Sequence, residues 1–395
     1  MATAVIDMEV TNLSDCIRGL NKYDKALILL RCKGRPIGKI TVPVCNGKII
    51  VAEIHQHILN ASATVLSKRL VLDYLKLDER KNSGVNRYSA TIAICTRDRT
   101  DDLRNCLNAI LKLPDDGQEI LVIDNCPKTS DTRLLVESYG CVRYVCEERP
   151  GLNIARNRAL SESKRDIVAF LDDDVVPDSG WLRALVSNFE DELIVCVTGL
   201  TMPLELETEG QELFEYYNSF GKGFERIRHS IGSRNPLASG QVGAGANMAF
   251  RKTIGEDIGL FDEALDAGTP TQSGGDHEFF LRILIAGYHI IYDPAALNWH
   301  RHRRTRMEAK NVIRGYGIGV YAFWTRTLLV ERELEILKFP LYWFIHYQLR
   351  NLAKSILKRK GSQPLDFVVA ELCGCLRGPF TYLKSRKKQN VLNAR

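Results

Sequence analysis

No stretch of this 395-residue chain approaches the roughly 18–20 uninterrupted apolar residues of a membrane-spanning helix. The opening MATAVIDMEVTNLSD has acids and polar residues where a secretory signal needs a basic start and an apolar run. Eleven cysteines are far too few for a disulfide scaffold, and the number is odd. None stands in CxxC spacing, and Cys373-Gly-Cys375 is too short a clip for a structural zinc site. There is no long internal repeat and no low-complexity tract. With 45% hydrophobic and 26% charged residues, the composition is that of a folded soluble protein, which excludes fibrous and disordered classes. The expectation is a cytoplasmic, reduced chain of two or three domains.

Charge is uneven. Residues 301–395 hold 20 Lys and Arg against 6 Asp and Glu, which leaves 34 against 42 in residues 1–300. An acidic body and a tail without a recognisable recognition motif argue against nucleic acid as a partner. The tail mixes its cations with Tyr316, Tyr321, Phe323, Trp324, Tyr342, Trp343 and Phe344. That mixture suits a membrane surface, with apolar faces shallowly buried and Lys or Arg near anionic headgroups. The competing reading is a helical cap packed on the body with a solvated basic face.

Three regions are expected. Residues 1–86 form a small α+β segment: strands at Lys25–Arg31 and Lys39–Val44, a helix near Ile50–Leu75, then the turn-rich linker LKLDERKNSGVN. Residues 87–305 alternate buried-strand runs (ATIAIC, EILVID, VRYVCE, DIVAFLDDD) with helical stretches, the pattern of a Rossmann-like, mostly parallel α/β sheet flanked by helices. Residues 306–395 are helical and basic, with turns expected at Gly315–Gly319, Pro340, Gly361–Pro364 and Gly374–Pro379. Ligands of such sheets bind beyond the carboxyl ends of the strands, where Thr96, Asp124 and Asp172–Asp174 fall.

The sharpest chemical signal is Asp172-Asp173-Asp174 at the end of a hydrophobic strand. Residues two apart on an extended strand face the same way, so Asp172 and Asp174 converge. Adjacent carboxylates repel unless a cation or solvent relieves them, and hard oxygen donors suit Mg²⁺ or Mn²⁺. The bland alternative is a solvated turn capping a helix near Ser179. Asp124 can accept from a base or ribose, or close an Asx-turn. Thr96-Arg97-Asp98 can meet a base, while Asp98 or Thr100 is also a good helix cap. Of Arg156 and Arg158, the first is favoured for a phosphate. The run Gly240–Met248 (GQVGAGANM) allows close backbone approach. Asp276 is a helix cap or a general base, with His277 or Glu278 able to share that role. His300 offers a third metal ligand, and the arginines after it meet phosphates or lipid headgroups.

In order, ATIAICTRDR, EILVIDN, GLNIARNRAL, DIVAFLDDDVVPDSGWL, GAGANMAFRK with GLFDEAL, GGDHEFFLRILIAGY and YDPAALNWHRHR resemble the family 2 glycosyltransferases, of GT-A fold, over residues 88–304. The resemblance implies an inverting transfer from a nucleotide-diphosphate sugar, a UDP-sugar first, to an acceptor hydroxyl. By it Asp172, Asp173 and Asp174 form the DxD motif, with the divalent metal (Mg²⁺ or Mn²⁺) on Asp174, Asp172 and His300. Thr96, Arg97, Asp98, Asp124 and Arg156 would hold the donor, and Asp276 would be the base. Gly275 departs from the family, which often has Glu before that Asp. A membrane-facing tail makes the acceptor lipid-linked. Two rivals remain. A non-catalytic nucleotide-sugar-binding scaffold would exploit the missing Glu. A haloacid-dehalogenase-like phosphatase would use Asp172-x-Asp174, yet its second acidic pair fails at Phe280, and its motif normally opens the sheet.

Overall fold

The computed structural model describes residues 2–75, 88–233 and 235–393. Most of the expected linker therefore lies outside the described residues. In the N-terminal unit, strand Thr3–Glu9 pairs in parallel with Lys25–Cys32, which pairs antiparallel with Arg35–Pro43. Lys33 and Gly34 both take positive φ (52° and 76°), the conformation a tight hairpin demands. Helix Val51–Tyr74 covers one face of this sheet. A side chain at Gly38 would run into the Ala61 carbonyl at 2.7 Å, so glycine there sets how closely sheet and helix approach. The other face, through Leu27 and Leu29, packs on Leu200, Met202, Leu206 and Leu297 of the main domain.

Among the described residues, the main sheet has nine strands. Its central parallel block runs Ile167–Asp172, Ala90–Thr96, Glu119–Asn125, Arg143–Glu147. Strand Asn247–Arg251 joins it antiparallel to Ile167–Asp172 and hands on to Ile194–Pro203 and His289–His300. The parallel strands are continuous apolar runs because both faces are covered, one by the core around Trp181 and Leu107, the other by that around Phe250 and Phe279. Register then positions the site. Thr96 is level with Asp124, and Cys95 with Asp172, so three polar strand ends stand side by side as the sequence pattern predicts.

The C-terminal region corrects three of the four expected turns. Helix Arg306–Arg326, started by a Thr305–Glu308 capping box, runs straight through Gly315, Gly317 and Gly319. Helix Leu365–Asn393 likewise runs through Gly374 and Pro379. The reason is contact between the two helices. A side chain at Gly317 would strike the Glu371 carbonyl, one at Gly374 the Arg314 carbonyl, and one at Gly378 the Ile318 carbonyl at 2.7 Å. Glycine costs a helix about 1 kcal/mol relative to alanine, and close backbone packing offsets it here. Pro340 sits in the first turn of helix Lys338–Trp343, where proline is tolerated, so no break occurs there. That helix continues through a π-turn, Phe344–Gln348, into Leu349–Ile356. The expected turn at Gly361–Pro364 is present.

Candidate active site

A cavity of about 700 Å³ opens over the carboxyl ends of the central strands. The strand Ile167–Asp172 delivers Asp172 to its floor, and the turn that follows brings Asp174 back to the same side. Ligand atoms of Asp172, Asp174 and His300 lie within 4.8 Å of one another. His300 ends the long strand His289–His300 and pairs with Val175, directly after the acidic turn. Two carboxylates and an imidazole on one side of a cavity suit a divalent cation. Burial pushes Asp172 up to about 6, with the neighbouring Asp174 adding to it, so the pair resists double ionisation without a cation. Burial also opposes ionisation of Asp174, but His300, Arg99 and Arg303 overcome it and hold that carboxyl down at about 2. His300 is pushed down to about 4 by burial and presents a neutral ring at physiological pH. Asp173 differs from its neighbours. One oxygen accepts from Thr96 Oγ1 at 2.7 Å and the other from Arg99 Nη1 at 2.5 Å.

Arg99 also bonds Asp174 Oδ2 at 2.9 Å, and Arg303 approaches the same oxygen at 3.6 Å. Neither the acidic turn nor Asp98 caps the helices the sequence offered them. Helix Thr100–Ile110 starts after Arg99 without a side-chain cap, because Asp98, in a left-handed conformation (φ 52°), accepts from the Lys128 amide at 3.0 Å instead. Gly180, before helix Trp181–Val186, bonds Asp178.

The helix Gly275–Ile285 carries Asp276 in its first turn. One Asp276 oxygen accepts from the Gly245 amide and the other from the His277 amide, both at 2.8 Å. Burial raises its pKa, but His277, Arg156 and those amides outweigh burial, so Asp276 is held ionised. Glu278 does not share this place. It is fully buried and bonds Arg282 at 2.5 and 2.9 Å and Arg326 at 3.0 Å, a structural cluster outside the cavity. Arg156 lines the cavity yet is itself engaged, with Asp266 Oδ2 at 2.7 Å and Asn153 Oδ1 at 3.0 Å. Arg158 is half-exposed and pairs with Glu162 one turn on. Gly245 is required because a side chain there would meet Arg156 Nη2 at 2.9 Å and Asp276 Oδ2 at 3.1 Å.

On the other side of the cavity, Thr96 and Arg97 line the wall beside Asn125. Asp124 is fully buried and is not itself among the residues lining the cavity: one oxygen accepts from Tyr144 at 2.9 Å, and the other has no hydrogen-bond partner among the described residues. Burial raises its pKa, against the hydrogen bond from Tyr144. A buried acceptor without a donor is expensive, and a ligand N–H or O–H would satisfy it.

Several residues of the site had no sequence signal. Arg99 stands 74 residues from the Asp173 it pairs with. Asp266 adopts φ 79°, a strained conformation for a side-chain-bearing residue, and holds Arg156 next to Gly275. His302 Nδ1 lies 3.0 Å from His300 Nδ1, and His302 Nε2 lies 3.3 Å from Glu215, which Lys39 of the N-terminal unit grips at 2.8 Å. A chain of contacts thus runs from the first domain to a metal-ligand candidate, the kind of outer support that orients ligands. The two-residue spacing of His300 and His302 in WHRHR, at and just beyond the end of a strand, was the only hint.

Residues 91–259 match the profile of "Glycosyl transferase family 2". The Pre-mycofactocin glycosyltransferase of Mycobacterium tuberculosis is 28% identical over 268 residues, covering 66% of this chain and 51% of that protein. The Glycosyltransferase AglE of Haloferax volcanii is 28% identical over 222 residues, 54% of this chain and 67% of its own. The chain thus spans about half the length of the first of these relatives. In fold it is similar to the mannosyltransferase PcManGT from Pyrobaculum calidifontis, solved with GDP-Man and Mn²⁺, at a TM-score of 0.53 and 14% identity over 78% of this chain and 94% of that one. Residues 91–259 of this chain are thus similar to a glycosyl transferase family 2 domain, and the fold is of the GT-A type.

Proposed function

We propose that this protein moves a sugar, with inversion, from a nucleoside-diphosphate sugar to an acceptor hydroxyl with the help of Mg²⁺ or Mn²⁺. The observation that carries the reading is one cavity holding the Asp172–Asp174–His300 cluster and the ionised Asp276. A divalent cation on that cluster supplies positive charge against the departing nucleoside diphosphate. Asp124, with its unsatisfied oxygen, binds the base or ribose of the donor, a UDP-sugar first, and Thr96 and Arg97 flank it. Asp276 accepts the proton of the attacking hydroxyl as the oxygen bonds to the anomeric carbon, and the diphosphate leaves from the opposite face. Arg156 and Asp266 keep Asp276 and the cavity floor in place. Arg99 and Arg303, which neutralise Asp174 and Asp173 in the free protein, stand beside the position of the diphosphate and can turn to it.

No described helix is long and apolar enough to cross a membrane. The basic C-terminal region is read as lying on the cytoplasmic face of a membrane, with a lipid-linked acceptor. The test is release of nucleoside diphosphate from a panel of UDP-, GDP-, dTDP-, CDP- and ADP-sugars, with and without Mn²⁺, and NMR of the released sugar. Metal-dependent turnover of one donor, giving the inverted anomer, is expected. A retained anomer would sink the single displacement, and donor binding without any turnover would favour the scaffold reading.

A further inference from the structure

One side of the cavity, its C-terminal lobe, is left unused by the donor reading. It is built by the C-terminal helices, outside the family-matched segment, from Tyr316, Val320, Tyr321, Trp343, Tyr347 and Glu371. Trp343 and Tyr347 lie against each other with ring centroids 4.4 Å apart and planes tilted by 36°. The Glu371 carboxyl makes no hydrogen bond or ion pair among the described residues, and burial alone pushes it up to about 7. A cavity wall of adjacent aromatics with one unengaged carboxyl suits a hydroxylated ring: its C–H face lies on the aromatics and its hydroxyl bonds the carboxyl.

The helix that supplies Trp343 and Tyr347 carries apolar residues on both of its faces, Phe339 and Trp343 packing inward. Between Lys338 and Ile356, the residues facing the protein are Trp343, Tyr347, Gln348 and Ser355, and Gln348 and Ser355 are buried. The opposite stripe, Leu341, Ile345, Leu349 and Ile356 at spacings of four, four and seven, is 63, 47, 42 and 60% exposed. Leu337 and Leu357 extend that patch at 55 and 63% exposure. An amphipathic helix in water turns its apolar stripe inward only; this one carries a second apolar stripe outward, which is stable when the outside is itself apolar. Charge identifies the occupant. From Ile336 to Leu365 there are six Lys and Arg and no Asp or Glu. An apolar stripe among cations, with none of the acids a protein surface usually mixes in, matches an anionic bilayer interface.

We propose that helix Lys338–Ile356 lies in the interface of an anionic membrane, and that the lobe behind it, between Trp343, Tyr347 and Glu371, is the acceptor subsite for the hydroxylated head of a lipid held in that bilayer. This deepens the transferase reading and rests on it. One helix then does two things: its outer stripe holds the protein at the depth of the lipid headgroups, and its inner face receives the head that projects from them. Asp276 lies on the wall of the same cavity, so a hydroxyl seated in the lobe shares one cavity with the base.

Two measurements on the full chain test this. In the first, phosphatidylcholine vesicles with and without phosphatidylglycerol are floated with the wild type and with a Leu341→Glu/Ile345→Glu/Leu349→Glu variant. Co-flotation that depends on the anionic lipid, and is lost in the variant at an unchanged melting temperature, is expected. Equal flotation of the variant, or none of the wild type, would overturn the docking. In the second, octyl glucoside below its micellar concentration is titrated against octanol and against glucose, on wild type, Glu371→Gln and Tyr347→Ala. Octyl glucoside should bind saturably and about five- to tenfold more weakly to either variant, the loss of one charge-assisted hydrogen bond or one stacking face. Equal binding of octanol, or variants indistinguishable from wild type, would overturn the subsite. UDP and GDP binding with Mn²⁺ is measured on the same samples. Its failure would count against the donor reading while the glycoside arm still reports on the lobe.

Discussion

Gly275 is the residue at which this chain departs from the family it resembles, and its surroundings state what the departure requires. It is the first residue of the helix that carries Asp276, with an ordinary negative φ, so alanine there would normally stabilise by up to about 1 kcal/mol. Space reverses the sign. A Cβ would stand 2.6 Å from Asp266 Oδ2 and 2.7 Å from Asn153 Oδ1, and would also collide with Asn153 Nδ2. These are the groups that hold Arg156 at 2.7 and 3.0 Å. Overpacking of this kind costs about 1–3 kcal/mol, so Gly275→Ala should lose about 1–2 kcal/mol net, or roughly 2–8 °C in melting temperature for a domain of this size. Gly275→Glu, which restores the common family residue, adds a buried carboxylate against Asp266. It should cost roughly 4–6 kcal/mol, much of the total stability of an ordinary domain. Differential scanning fluorimetry with urea unfolding reads both. If Gly275→Ala melts at or above the wild type, or if Gly275→Glu is the better enzyme, then Asp266 and Asn153 do not occupy the space of the missing side chain and the reasoning fails.

Asp276→Asn should lower turnover by about 10²–10⁴ while nucleotide affinity stays within twofold of wild type, since a base contributes to the transition state and not to donor binding; a steady-state assay with matched calorimetry separates the two, and equal losses of both would refute the assignment. Glu215→Gln and Lys39→Met should each weaken Mn²⁺ binding by about tenfold, read by EPR of free Mn²⁺, because they loosen His302 and through it His300; unchanged affinity in both would show the contact chain to be structural only. Glu371, raised from 4.5 to about 7, binds its proton more tightly in the folded state, so its destabilising cost is absent below pH 4.5, grows through that window and is complete above about 7. Glu371→Gln should therefore match wild type at pH 4.5 and gain on the order of 2–3 kcal/mol at pH 8; a pH-independent difference would refute the buried, unengaged carboxyl.

The parallel strands were legible because apolar runs such as ATIAIC and EILVID leave few other structures, and the acidic cluster was legible because DDD ends one of them. Register did the rest: strands that pair in parallel bring Thr96, Asp124 and Asp172 level without further instruction. What sequence pattern missed depends on long-range meetings. Arg99 finds Asp173, Asp266 finds Arg156, and Lys39 finds Glu215 across 74, 110 and 176 residues, and no local spacing encodes such pairs. Gly315–Gly319 was misread as a turn because glycine's local preference and its usefulness in close helix packing look alike until the partner helix is known. The 338–356 stripe has the same ambiguity: periodicity gives two faces, but only the fold says that this one is outside.

The central claim is that Asp174 holds a cation which in turn holds a nucleoside diphosphate. The most direct test is a thermal-shift titration of the full chain with UDP, GDP, dTDP, CDP and ADP, each with and without Mn²⁺, repeated on Asp174→Ala. The account predicts that one nucleotide raises the melting temperature only when Mn²⁺ is present, and that Asp174→Ala abolishes the rise while remaining folded. Stabilisation that ignores both the metal and Asp174, or none with any nucleotide, would contradict it.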